Sequence, residues 1–454
     1  MNFFDIAIIL FAFELIFRKF ISERVFVISL VLSSITAFIQ VLVVGYKWQY
    51  MPIYIIILSS AIGHTFGFKF TNKVFKAISF VIFFTLFITS TLLIYFLPVP
   101  EFTIENKIYS VGYEEILISV DNREQPKAFY ELSNLDPNGN RELLVDLYYP
   151  SDGESSSIQI FKDSPSNWGE TVVKYLNSTW GINIPNFLLS HLNLSYFDLV
   201  TDARKIDQKF PVVVYTHGWA GEKIFATDQL LTIASQGYIV IAIDHTGLSM
   251  FTELPSGTIF NTGSTEASSK VFDVMYEMSI DIENTLQYLN KNNLVSDLSV
   301  VNIIGHSTGG GSAHLYCLRN KCETLVLQDP FFVPVISEYG GIVLSSPTYF
   351  IYSEDWFKGN EDINEMSEID VYKNYLAEPC IGETCINFAK GFYLADSAHY
   401  DFVAFGAISS LTKYTFLKGS IEYTDSLKAN NRFNLEALNQ SEITTDNLVI
   451  QIDK

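Results

Sequence analysis

Cysteine is nearly absent from the 454 residues, and basic residues are few beside acidic ones. The four cysteines, Cys317, Cys322, Cys380 and Cys385, form two C-x4-C pairs. A disulfide-built scaffold needs a denser framework, and structural zinc wants C-x2-4-C knuckles or neighbouring histidines, which neither pair has. Each pair reads either as a local disulfide of an oxidising compartment or as two independent thiols, and no metal is expected. With 29 Lys and Arg against 50 Asp and Glu the formal charge is −21. That balance excludes nucleic acid as an expected partner, because phosphate contacts need Lys and Arg. Internal repeats and low-complexity tracts are also missing, which excludes repeat arrays and long disordered segments.

What is present is unevenly spread. Up to Pro100 there are 7 Lys and Arg against 3 Asp and Glu, a balance of +4, so the remainder carries −25. The same stretch holds four apolar runs, at 3–17, 25–44, 50–68 and 74–97. Crossing the hydrocarbon takes about 20 helical residues. The runs predict an N-terminal α-helical transmembrane region of about four helices over residues 1–98. The first run is short for this, and the third carries Pro52, Gly63 and His64. No basic segment precedes the first run, as a cleaved signal peptide requires. Arg18, Lys19 and Arg24 lie between runs one and two, Lys69, Lys73 and Lys76 between three and four, and the middle loop has only Lys47. The positive-inside rule makes the two basic loops cytoplasmic. A multi-pass integral protein follows, with everything after Pro98 on the extracytoplasmic side. Glu14 and His64 are the ionisable residues considered within the runs. With no charged partner at comparable depth, they are expected to pack or sit interfacially rather than to carry ions.

Residues 99–418 read as one soluble domain. Alternating runs at Tyr113–Val120 and Glu142–Tyr149 suit an antiparallel pair. Residues 151–208 read as an irregular insertion or cover. Near-continuous apolar runs then alternate with helical segments, at Val212–Tyr215, Ile239–Ile243, Val301–Ile304, Thr324–Leu327, Tyr349–Tyr352 and Gly391–Ala395. That alternation predicts a mostly parallel central sheet with helices on both faces, an α/β architecture. Residues 419–454 read as a tail without a motif.

One of these strands ends in Gly305-His306-Ser307-Thr308-Gly309 and runs into a helix. G-x-S-x-G at a strand-to-helix turn holds the serine on a strained backbone, with its oxygen thrust outward beside free helix amides. Ser307 is the expected nucleophile. Tyr215-Thr216-His217-Gly218-Trp219 closes an earlier strand, where this architecture takes its other oxyanion donor, so the amides of Trp219 and Thr308 are the expected oxyanion hole. The Trp219 indole either walls an acyl pocket or simply packs. A serine hydroxyl needs a base, and the chain order of such folds places it last. Of seven histidines only His399, in Ser397-Ala398-His399, fits that place. The acid lies between them, and both Asp329 and Asp355 follow strands there; spacing alone does not choose.

These residues resemble the platelet-activating factor acetylhydrolase family, plasma and type II, within the α/β-hydrolases. The likeness runs from about Pro98 to Gly406 and rests on Val99-Pro100-Glu101-Phe102, Leu147-Tyr148-Tyr149-Pro150, Phe210-Pro211-Val212-Val213-Val214-Tyr215-Thr216-His217-Gly218, Gly305-His306-Ser307, Leu327-Gln328-Asp329, Ile351-Tyr352-Ser353-Glu354 and Ser397-Ala398-His399. The resemblance implies that the acid is Asp329, with Asp355 in reserve. It also implies hydrolysis of short or oxidised acyl chains from phospholipids without a cofactor. This chain departs from the animal enzymes at Thr308 and Trp219, where they carry Phe and Leu; both positions flank the acyl site. A general carboxylesterase or cutinase-like polyester hydrolase is the alternative within chemistry. A non-catalytic membrane sensor or binding module is the alternative outside it.

Overall fold

The computed structural model describes residues 3–68, 72–154, 156–161, 167–200, 203–263, 270–295, 297–340, 344–358, 372, 389–415 and 417–452. The four apolar runs are helices: α1 (Phe3–Ile16), α2 (Glu23–Val43), α3 (Met51–Thr65) and α4 (Lys73–Phe96). Ser22 caps α2 through the amide of Val25, and Asn72 caps α4 through that of Val74. They pack around Ile8, Ala12, Phe26, Tyr50, Ile56 and Phe87. Two of them, α2 and α4, are long and apolar enough to cross a membrane, each with mean hydropathy 2.4. With 14 and 15 residues, α1 and α3 fall short of the usual span.

The ionisable residues singled out in the runs are not the buried ion pair. Glu14 accepts a hydrogen bond from Ser29, and His64 lies 3.4 Å from an exposed Glu23. The buried pair is Asp5 with Lys47, 2.9 Å apart, and Gln40 also donates to Asp5 at 2.7 Å. Lys47 belongs to a loop, so only the tertiary fold brings it to α1. The same loop meets the soluble domain, where Trp48 Nε1 donates to Leu188 O at 3.2 Å.

The soluble domain is built on nine strands: β1 (Ser110–Glu124), β2 (Asn140–Ser151), β3 (Val212–Thr216), β4 (Ile239–Asp244), β5 (Val301–His306), β6 (Leu325–Gln328), β7 (Thr348–Ser353), β8 (Ala389–Leu394) and β9 (Val449–Gln451). Their order across the sheet is 1-2-4-3-5-6-7-8-9. Strands β4, β3, β5, β6, β7 and β8 run parallel; β1, β2 and β9 are antiparallel to their neighbours. The central strands are buried along their whole length, which is why they read as continuous apolar runs rather than alternations.

Period-two geometry splits each strand between two cores. Val212, Val214, Ile241 and Ile303 pack on one face with Met275, Ile282 and Ala313 from α7 (Val271–Lys291) and α8 (Thr308–Arg319), and with Val335 and Ile336 from α9 (Val333–Tyr339). Val213, Tyr215, Val240 and Ile304 pack on the other with Leu230, Ile233 and Phe433 from α6 (Thr227–Ser235) and α11 (Tyr423–Leu438). So α11 and β9, from the stretch without a sequence motif, close one core and extend the sheet. The stretch read as irregular contains α5 (Trp168–Trp180), 3-10 turns at Asn186–Leu194 and two strands, Ser156–Ile158 and Tyr196–Leu199. The latter pairs with Glu101–Phe102.

Candidate active site

Trp219, Ser307, Asp329 and His399 follow the carboxyl ends of the parallel strands β3, β5, β6 and β8. Ser307 lies between β5 and α8 with φ 55° and ψ −124°, the strained elbow that the glycine pattern predicts. A Cβ on Gly305 would lie 2.5 Å from Gly309 O, and one on Gly309 would lie 2.3 Å from Thr216 O. Both contacts are with backbone, which cannot swing aside. The elbow is tied to the next strand by Ser307 N donating to Gln328 O at 3.0 Å.

Asp329 follows β6 with φ 43° and is fully buried. Its carboxylate accepts from the amide and the hydroxyl of Ser353 at the end of β7. The oxygen Oδ2 also lies 3.0 Å from His399 Nδ1. His399 opens a 3-10 turn after β8, His399–Phe402. Its ring is held between Trp356, stacked at a centroid distance of 4.8 Å, and His306, at 4.7 Å. His306 Nε2 is 3.1 Å from the backbone oxygen of His399. Burial, and then the neighbouring His399, push the His306 pKa well below the ordinary value, so it stays neutral. Asp355 lies in α10 (Glu354–Lys358), and its amide bonds Ser397 O; Asp329 is the carboxylate that meets the imidazole.

Ser307 and His399 line one cleft with Gly218, Trp219, Glu222 and Tyr400. No hydrogen bond joins the Ser307 hydroxyl to the ring; such bonds tighten when substrate is seated. Among the described residues, the amides of Trp219 and Thr308 have no backbone acceptor. Those of Ala220 and Gly221 beside them bond Leu248 O and Gly218 O. Ala220 has φ 51°, an unfavourable conformation for alanine that turns the chain at this point. The Trp219 indole joins the cleft wall and also packs against the cluster of Phe129, Leu248 and Met278.

His217 secures the same turn. Its Nδ1 is 2.7 Å from Gly218 O and so carries the proton, leaving Nε2 to accept from Ser249 Oγ at 2.9 Å. Burial first, and then His245, lower its pKa to about 3. Behind it lies a buried network that the sequence did not signal. Asp281 accepts from Arg141 Nε at 3.0 Å, from Arg123 Nη1 at 2.7 Å and from His245 Nδ1 at 3.0 Å. His245 Nε2 in turn accepts from Thr216 Oγ1 at 2.9 Å. Burial alone would raise the Asp281 pKa, but Arg141 and Arg123 outweigh it and hold the carboxylate far below its usual range. Arg141→Ala leaves this buried carboxylate short of its main partner. A loss of about 3–5 kcal/mol is expected, read by urea unfolding of the full chain. A change below about 1 kcal/mol would show that the network contributes little to stability.

Glu222 is the other residue without a sequence signal. It is buried in the cleft wall, and Trp168 Nε1 of α5 donates to its Oε2 at 2.9 Å. Burial, and then nearby Asp244, raise its pKa well above the carboxylate range. Cys317 and Cys322, at the end of α8, form a disulfide. Cys380 and Cys385 lie outside the described residues.

A serine on a strand-to-helix elbow, in an open sheet of this order, defines an α/β-hydrolase fold. A family model described as platelet-activating factor acetylhydrolase, isoform II, matches residues 133–255, and one described as chlorophyllase matches residues 198–333. The first spans the Trp219 turn; the second also reaches Ser307 and Asp329. The chain is thus similar to two α/β-hydrolase esterase families, in agreement with the resemblance read from its motifs. A ferulic acid esterase from Streptomyces cinnamoneus superposes with a TM-score of 0.57 at 19% identity, covering 76% of this chain and 93% of that one. That likeness shows the shared fold. No curated protein matches the sequence significantly.

Proposed function

We propose that the protein is a serine carboxylic ester hydrolase whose catalytic set is Ser307, His399 and Asp329. The observation that carries this reading is the Asp329–His399 pair facing the cleft of the Ser307 elbow. Asp329 fixes the imidazole with its proton on Nδ1, which leaves Nε2 to take the Ser307 proton. Attack on the ester carbonyl gives a tetrahedral oxyanion that the Trp219 and Thr308 amides stabilise. Collapse releases the alcohol, protonated by His399, and leaves an acyl-enzyme. Water, activated by the same ring, then frees the acid.

Short-acyl or oxidised phospholipids are the substrate class that the acetylhydrolase likeness favours. The matches to chlorophyllase and a ferulic acid esterase favour a broader carboxylesterase as the second reading. The N-terminal helices serve as a multi-pass anchor. Only 28% and 11% of the apolar windows in α2 and α4 are buried within the protein, unlike core helices of a soluble protein. The loop after α2 and the exit of α4 both meet the hydrolase domain, through Trp48 and through Phe96 O, which accepts from Ser409. That arrangement supports one common side for these ends, the extracytoplasmic side by the charge rule.

The test uses the detergent-solubilised full chain, a p-nitrophenyl ester series and a short-acyl phospholipid, together with a fluorophosphonate probe. Stoichiometric labelling at Ser307 and turnover of at least one ester are expected. Folded protein that neither labels nor hydrolyses any ester would return the sensor or binding-module reading.

A further inference from the structure

The stretch Tyr352-Ser353-Glu354-Asp355-Trp356 ends strand β7 and begins the short helix α10. It is fastened to both sides of the catalytic set. On one side, Ser353 Oγ donates to Asp329 Oδ2 at 2.5 Å and accepts from Trp356 N at 3.2 Å, so a single hydroxyl holds both the acid and the tryptophan. On the other, Glu354 N donates to Ser397 Oγ at 3.3 Å, Asp355 N donates to Ser397 O at 3.2 Å, and Glu354 Oε2 accepts from Asp396 N at 2.6 Å. Those three bonds tie α10 to the loop that delivers His399.

The half-buried Trp356 is thereby laid nearly flat on the His399 ring, with centroids 4.8 Å apart and planes 22° from parallel. The imidazole thus meets the face of the indole, not its edge. His306, kept neutral by burial, covers the opposite face at 4.7 Å, and Tyr400 meets the ring edge-on at 5.5 Å. Filling space beside a histidine does not call for an indole face, but that face has an electrostatic consequence. It is the negative part of the ring quadrupole, and among natural side chains Trp attracts a cation most strongly. The imidazole is neutral before it accepts the Ser307 proton and positive afterwards. A contact that is stronger after the transfer than before it raises turnover rather than substrate binding.

We propose that Trp356 is a positioning residue of the hydrolase, whose indole face stabilises the imidazolium that His399 becomes during acyl transfer. The inference rests on the ester-hydrolase reading and adds to it a residue that acts through the base. As Ser307 Oγ bonds to the carbonyl carbon, its proton passes to His399 Nε2. The positive charge then lies between the Asp329 carboxylate, at the ring edge, and the indole, over the ring face. When the intermediate collapses, the ester C–O bond breaks and the same proton leaves on the alcohol oxygen. Acid and indole reach the ring from different directions, so neither replaces the other.

The experiment uses the solubilised full chain with p-nitrophenyl acetate, reading kcat and KM separately beside the rate of fluorophosphonate labelling at Ser307. Trp356→Phe keeps a weaker aromatic face and should lower kcat about threefold; Trp356→Leu removes the face and should lower it about tenfold to thirtyfold, with KM within about twofold in both. Labelling draws on the same base and should slow by similar factors. The bonds that fasten α10 run through Ser353, Glu354 and Asp355, so these substitutions leave them in place. Fluorinated tryptophans inserted at position 356 keep the shape of the ring while drawing charge from its face, and kcat should fall with each added fluorine. Should Trp356→Leu not fold, that series decides alone. Fluorinated proteins that all turn over at the wild-type rate overturn the proposal and leave the indole as packing. A change confined to KM also overturns it, by setting the indole against the substrate instead of the base. A wild-type chain that neither labels nor turns over acetate instead defeats the hydrolase reading.

Discussion

Ser307→Ala is expected to lower kcat on p-nitrophenyl esters by about 10⁶-fold, and His399→Ala by a similar factor. The two losses are equal because the residues act as one unit. Without the base the hydroxyl keeps its proton, and without the hydroxyl the base has nothing to activate. The double variant should therefore be little worse than either single one. A residual rate of about 10³-fold over water is expected to survive, supplied by the Trp219 and Thr308 amides and by substrate binding. Single-turnover assays with burst detection read the first quantity, and active-site labelling reads the second. A His399→Ala protein that labels at the wild-type rate would mean that some other group activates Ser307. The neighbouring His306 is a poor candidate, since its ring is buried and its Nε2 already faces the backbone oxygen of His399.

The second large effect concerns the acid. Asp329→Asn should reduce kcat about 10⁴-fold while leaving KM within a few-fold, because an amide facing Nδ1 favours the wrong tautomer and cannot balance the imidazolium. Asp355→Asn should change kcat by no more than a few-fold. The pair of variants separates two carboxylates that both follow strands between Ser307 and His399. The observation behind the choice is the 3.0 Å approach of Asp329 Oδ2 to His399 Nδ1, with Ser353 holding the carboxylate from the next strand. If Asp355→Asn proved the more damaging, the orientation of His399 would have to change during turnover. Retained activity in both variants would mean that Trp356 and His306, packed on either side of the ring, orient it well enough alone.

Much of the sheet is legible in the sequence, because strands buried on both faces leave unbroken apolar runs at Val212–Tyr215, Ile239–Ile243 and Val301–Ile304. The edges were harder to read. Strand β9 is only three residues long, and its side chains do not alternate strongly enough to announce it. Helix α11 is polar over most of its surface and is recognisable mainly by the Phe433 and Ala437 face that it buries. The buried Asp5–Lys47 pair joins residues 42 positions apart, and the Arg141–Asp281–His245 network joins residues 140 and 36 positions apart, so no local pattern marks them. Glu222 and Trp168 are likewise ordinary in sequence and meaningful only as neighbours.

The sequence by itself determined which strands form the sheet, where the elbow serine stands and which histidine follows the last parallel strand. Each of these is written in local spacing: a run of buried apolar residues, a pair of glycines around a serine, a place in chain order. Only the tertiary structure distinguished Asp329 from Asp355, joined Arg141 to Asp281, and set Trp168 against Glu222 in the cleft wall. Those relations depend on which side chains converge across separate elements, and convergence is fixed by how the strands and helices pack rather than by the spacing within any of them.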